Sequence, residues 1–282
     1  MKRLLFLITL LLSNQVLATP NIVVSIKPIH SIVSNLTLGI TKPQLLLDGK
    51  QSAHNFQLKP SQASSIENAD LIISIHPLME QGIAKSLDNI DKNKKFYIFN
   101  NDDLYKDNKL IDFPNFHLWT SVDLMRQFAK KLSTKLIALD PKNKNNYLEN
   151  LNKLNNKFEQ QQKITQQKLS KYRNQKIAVY SYALEFFLKE NNLPIAVQIT
   201  QYHEQQLSVF KLLKAKKAIQ KSAAKCLITT TNVSNKKIPV VSEGLNVRVA
   251  KIDLLGARFT PGINQYFSLI QHITEQVEKC LK

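Results

Sequence analysis

The chain has 282 residues, 43% of them hydrophobic, enough for one large domain or two. Its formal charge is +18, yet the lysines are scattered and the only arginines are Arg3, Arg126, Arg173, Arg248 and Arg258. No arginine-aromatic patch marks a nucleic-acid interface, so the composition reads as a lysine-rich solvated surface and argues against a nucleic-acid-binding module.

In chain order, Lys2 and Arg3 precede an apolar run, Leu4 to Leu12, broken only by Thr9, and Val16-Leu17-Ala18 offers a small-residue cleavage site. These are the parts of a cleavable secretory signal, too short for a stable span. Residues 1–18 are therefore set outside the fold, which lowers the charge to +16, and the exported chain is expected in the periplasm. In that oxidising compartment Cys226 and Cys280 are expected to pair, tying the last helix to the strand at Cys226-Leu227-Ile228, with two buried thiols as the alternative.

Ile22 to Ile26 reads as a first strand, His30 to Leu38 as a helix, and Gln44 to Leu47 as a second strand. A polar segment, Ser52 to Ser61, carries His54 and leads into a helix over Ser61–Asn68. Asp70 to Ile75 is a near-continuous apolar strand, Pro77 to Leu87 a helix and Phe96 to Phe99 a short strand. Residues 100–115, with Asp102, Asp103, Asp107 and Asp112, read as an exposed loop. After Phe116-His117-Leu118-Trp119, Thr120 or Ser121 can cap a helix running to Ile137.

Asp140-Pro141 opens a segment with no Gly and no Pro from Asn143 to Tyr172, in which Tyr147, Leu151, Leu154, Phe158, Ile164 and Leu169 recur near helical spacing. One helix of this length can join two lobes, and its seam is too irregular for a coiled coil. Strand-helix alternation then resumes. Ile177–Tyr180, Ile195–Ile199, Cys226–Thr230, Pro239–Val241 and Val247–Ile252 read as strands, and Tyr182–Glu190, Leu207–Ser222 and Gln265–Leu281 as helices. The expected fold is α/β, two lobes, each a mostly parallel sheet flanked by helices, joined by one long helix. The division is 19–141, the interlobe helix 142–173, and 174–282.

Chemistry concentrates at strand ends. His54 and His117 follow strands of the first lobe, and Asp253, in Ile252-Asp253-Leu254-Leu255-Gly256, follows one of the second. Neutral imidazole and carboxylate suit a divalent transition metal, and the C-terminal edge of such sheets is where ligands bind. Each residue alone also has a structural reading, as a core or surface imidazole or a turn cap.

Together, Ser25-Ile26-Lys27-Pro28-Ile29-His30-Ser31, Ser52 to Ser61, Asn68-Ala69-Asp70-Leu71-Ile72, Asn115-Phe116-His117-Leu118-Trp119 and Ile252-Asp253-Leu254-Leu255-Gly256 resemble, in type and order, the zinc-binding solute-binding proteins of bacterial ABC importers. The resemblance covers nearly the whole mature chain. It implies a monomeric periplasmic carrier, not an enzyme, that takes zinc (manganese as the alternative) into an interlobe cleft and delivers it to a membrane permease. His54 and His117 match the family's first two histidine ligands, Asp253 its carboxylate, and Cys226 and Cys280 its disulfide. The family motif at the third ligand runs His-Asp-Ala-Tyr, and here Ser181-Tyr182-Ala183 stands in its place. His30, Glu185 or a water held by Ser181 could complete the shell, and the family's His-rich loop is absent. His76 and His203 read as structural, and His272 as a surface residue. Two other readings stand beside this one: a degenerate relative serving as an adhesin or interaction module, and, last, a secreted metallohydrolase, for which no His-Glu-x-x-His motif is present.

Overall fold

The computed structural model describes residues 19–49, 51–54, 56–99, 114–201 and 207–282, with the backbone of 105–106 and 109–110. Residues 1–18, Asp102, Asp103, Asp107, Asp112 and His203 lie outside the described residues. The first sheet contains β1 (Ile22–Ile26), β2 (Gln44–Leu47), β3 (Leu71–Ser74) and β4 (Lys95–Tyr97) in the order β2-β1-β3-β4, all parallel. Every residue of β1 and β3 is buried, as expected for parallel strands covered on both faces. Between the strands run α1 (Lys27–Leu36), α2 (Pro60–Glu67) and α3 (Gln81–Asp88). Pro28 and Pro60 sit in the first turns of α1 and α2, where a missing N–H costs nothing.

Part of the expected loop after β4 is instead a two-stranded antiparallel hairpin, β5 (Tyr105–Lys106) and β6 (Lys109–Leu110). Helix α4 (Val122–Leu139) follows, capped by Ser121, whose Oγ accepts the Leu124 N–H at 3.1 Å. The long helix α5 (Lys144–Leu169) comes next, flanked by short 3-10 turns at Pro141–Asn143 and Ser170–Tyr172. Its 26 residues span about 39 Å. The irregular seam has a physical cause, because polar side chains share the buried face with Tyr147, Leu154, Phe158 and Leu169. Asn150 donates to the carbonyls of Leu36 and Leu38 at 3.0 and 2.9 Å, closing the end of α1.

The second sheet contains β7 (Ile177–Val179), β8 (Ile195–Gln198), β9 (Cys226–Thr230) and β10 (Arg248–Ile252) in the order β10-β9-β7-β8, again all parallel. Helices α6 (Glu185–Glu190), α7 (Val209–Ser222), α8 (Lys237–Ser242) and α9 (Gln265–Leu281) complete the lobe. The strand expected at Pro239-Val240-Val241 is helix α8. Its β-branched residues favour strand, but the segment packs on α7 with Val241 buried, and Pro239 falls in the first helical turn, where its ring is tolerated.

Cys226 and Cys280 form the disulfide, their Cα atoms 5.3 Å apart, joining β9 to α9. Helix α9 also packs on α1 and α5. One continuous hydrophobic core therefore runs from the first sheet through α4 and α5 into α9, β7 and β9. A smaller cluster lies beneath α7 and α8.

Candidate metal centre

Parallel order places the C-terminal ends of the central strands at one edge of each sheet, and these edges meet. His54 lies beyond β2, its backbone N–H donating to Ser52 Oγ at 3.2 Å. His117 precedes α4 and is buried. The two imidazole rings are 5.6 Å apart, centre to centre.

The proton on His117 can be placed. Asn115 Nδ2 donates to the Tyr182 carbonyl at 2.9 Å and to Glu185 Oε2 at 3.2 Å. Both partners are acceptors, so the amide orientation is set and its Oδ1 faces His117. Oδ1 takes the His117 backbone N–H at 3.1 Å and stands 3.0 Å from Nδ1. Nδ1 must therefore carry the proton, which leaves the lone pair on Nε2, the nitrogen suited to a metal. Glu185 thus serves the site through Asn115.

Asp253 is used differently. Its Oδ1 accepts the N–H groups of Leu255 (2.9 Å) and Gly256 (3.0 Å), and Oδ2 accepts that of Ala257 (2.6 Å). The carboxylate holds its own loop, in which Gly256 has φ +65° and a Cβ would come within 2.6 Å of Gln265 Nε2. Each carboxylate oxygen has two lone pairs, so Oδ2 keeps one acceptor site for a cation. With Ser52, Thr230, Thr231 and Asn232 among its neighbours, Asp253 lines a cavity of about 320 Å³ between the lobes.

Lys27, not foreseen as part of the site, ties the lobes together here. It is 3% exposed, and its Nζ donates to the carbonyls of Gly256, Ala257 and Phe259 at 3.3, 2.9 and 2.8 Å. Trp119 adds the bond from Nε1 to the Leu254 carbonyl at 2.8 Å. Asp253 therefore binds the loop's N–H groups and Lys27 its carbonyls. A charged residue at the end of the apolar run Ile22–Ile26 is the signal that could have marked Lys27.

Ser181, after β7, is buried, and the neighbouring Tyr182 ring meets the His117 ring edge-on at 6.3 Å. His30 does not reach this edge. Its Nε2 is 3.1 Å from the Pro43 carbonyl, burial lowers its pKa, and it lines a separate apolar cavity of about 840 Å³ with Leu38, Ile40 and Ile263. His76 stacks on Phe116 at 5.4 Å and accepts the Leu78 N–H on Nδ1 at 3.1 Å. His272 is a half-buried partner of Arg258 at 3.2 Å. Among the described residues, no group of three or more His, Cys, Asp or Glu side chains is set to hold a metal ion as it stands. The structure brings His54 and His117 together and keeps Asp253 in its own loop.

Two parallel α/β lobes bridged by a long helix, with histidines and a carboxylate at the facing strand ends, define a cleft-type binding protein. Residues 22–280 match the family described as "ZnuA: Zinc-uptake complex component A periplasmic", and the chain belongs to that family. It is 24% identical over 302 residues to the high-affinity zinc uptake system protein ZnuA of Yersinia pestis, covering 97% of this chain and 95% of that one. A crystal structure of ZnuA matches with a TM-score of 0.78 at 20% identity, covering 94% of this chain and 100% of that one. The laminin-binding protein of Streptococcus agalactiae, described as bifunctional with adhesin and metal transporting activity, matches with a TM-score of 0.77 at 21% identity over 93% of this chain and 100% of that one.

Proposed function

We propose that the chain is the exported binding component of an ABC importer, capturing zinc between His54 and His117 with Asp253 approaching from the second lobe. The observation that carries this reading is the pair of imidazoles 5.6 Å apart, with Asn115 holding the His117 proton on Nδ1. Two neutral imidazoles, one carboxylate oxygen and a water make a four-coordinate zinc shell. The protein binds and releases its cargo and breaks no covalent bond. Because a ligand imidazole must be neutral, metal capture releases protons and weakens as the solution is acidified. The permease in the membrane receives the ion, and the carrier acts as a monomer. Residues 1–18 are its signal peptide, 19–141 and 174–282 its lobes, and 142–173 the connecting helix.

Calorimetric titration of metal-stripped protein tests the reading. Zinc is expected to bind at one site, more tightly than manganese, and His54→Ala and His117→Ala are each expected to weaken it. Absence of zinc and manganese binding at micromolar levels sinks the carrier reading. It would favour instead an interaction module with an impaired metal site, the reading that Ser181 and the self-bound Asp253 motivate.

A further inference from the structure

Helix α7 presents a face that the metal site leaves unused. Ser208 caps it, its Oγ accepting the Lys211 N–H at 3.4 Å. Leu212, Ala215 and Ile219 form its buried stripe. On the opposite side Phe210, Lys214, Lys217 and Lys221 follow at positions i, i+4, i+7 and i+11, a single outward row. Phe210 is 77% exposed, and Val209 and Leu213 beside it are 64% and 46% exposed. Among the described residues, the other large exposed hydrophobics, such as Leu38, Leu78 and Val249, are scattered singly. Three together in the first turn and a half of one helix mark an interaction surface.

The charge on this helix identifies the partner's chemistry. It carries Lys211, Lys214, Lys216, Lys217 and Lys221 and no Asp or Glu. A cationic helix with an apolar first turn complements an anionic bilayer: the ring and branched side chains enter the acyl boundary while the ammonium groups stay among phosphates. Nucleic acid would accept the lysines but offers little to Val209, Phe210 and Leu213. An acidic protein would need an apolar pocket in register with them.

The topology orients this surface. Strands β8 and β9 are both parallel to β7, so α7, which connects them, must run back across the sheet. Its N-terminal turn therefore lies at the strands' C-terminal edge, the edge that carries Asp253. We propose that the N-terminal half of α7 docks on anionic phospholipid, turning the cleft edge of the second lobe toward the membrane. The physiological use of such docking rests on the carrier reading above, but the lipid binding does not.

The test is co-sedimentation with vesicles of phosphatidylglycerol and phosphatidylethanolamine, against vesicles of phosphatidylcholine alone. The protein is purified without residues 1–18, whose apolar run would itself partition into lipid. Binding to the anionic vesicles only is expected, weakening with salt. Phe210→Ser with Leu213→Ser is expected to reduce it at least about tenfold, since each buried methylene adds to partitioning. Lys214→Gln with Lys217→Gln and Lys221→Gln is expected to remove most of its salt dependence. Circular dichroism confirms that the variants fold. Failure of the parent protein to bind anionic vesicles overturns the proposal. So does binding unchanged by Phe210→Ser with Leu213→Ser, which would assign the effect to net charge alone. Zinc titration of the same variants reports the metal site separately, so loss of one activity is distinguishable from loss of the other.

Discussion

The two rims of the cleft are built on opposite plans. On the first lobe, His54 and His117 stand ring to ring, and the carboxamide of Asn115 fixes the proton on His117. On the second lobe, Asp253 accepts three backbone N–H groups and Ser181 lies two residues past β7. One rim offers nitrogen donors to a cation, and the other uses its charge on itself. The lobes meanwhile meet through contacts that need no metal. Lys27 and Trp119 bind the loop that follows β10. Asn35 donates to the Ile263 carbonyl at 2.7 Å, and Glu190 accepts the N–H groups of Val122 and Asp123 at 2.9 and 3.1 Å, capping α4 from the other lobe. The difference teaches that, on the proposed reading, metal capture is weighted to the first rim, while the second rim's position is set by bonds within the protein.

The largest expected effect tests that weighting directly. His117→Ala should weaken zinc binding more than about 100-fold, because residues that merely orient a ligand are already worth about 10–100-fold. Asp253→Asn should cost less, about 10–100-fold, since the amide keeps one oxygen but loses the negative charge. Competition titration with a chelating dye measures both, and equal losses would break the asymmetry.

The turn after β3 in the first lobe carries a pH signature. Glu80 is fully buried, and its Oε2 accepts the N–H groups of Ile75 at 2.6 Å and His76 at 3.2 Å, holding the turn after β3. Burial raises its pKa from 4.5 to about 7, opposed by the Ser25 hydroxyl and by those two hydrogen bonds. Below pH 4.5 the carboxyl is protonated in both folded and unfolded chains. As pH rises from there toward 7, the unfolded chain ionises first, so stability falls, by about 3 kcal/mol for this group. Glu80→Gln should flatten that part of the profile in urea denaturation at pH 5 and 7.5. An unchanged slope would remove Glu80 as its source.

Lys27→Met should lower stability by about 1–3 kcal/mol, because it leaves the half-buried carbonyls of Ala257 and Phe259 without this donor. Zinc affinity should fall less than in His117→Ala if Lys27 only places the second rim. Denaturation and zinc titration of one preparation separate the two effects. The smallest change is a gain. Ser181→His supplies a nitrogen donor to the poorer rim and should tighten zinc binding by about tenfold. No gain would mean that the Ser181 position does not face the ion.

Much of this was legible in the sequence, for identifiable reasons. Buried parallel strands read as apolar runs, so Ile22–Ile26 and Leu71–Ser74 stand out, and Ser121 marks a helix start by its own chemistry. The order of motifs around His54, His117 and Asp253 carried the family, and export logic carried the pairing of Cys226 with Cys280. The misread segment, Pro239–Val241, has local preferences that packing on α7 overrode. Tertiary structure alone decided that His30 turns to Pro43 and away from the cleft, and that Asp253 binds its own loop. It alone joined Lys27 to carbonyls more than two hundred residues away. Local patterns encode what a residue does to its own segment, whereas these contacts depend on which strand ends the two sheets bring face to face.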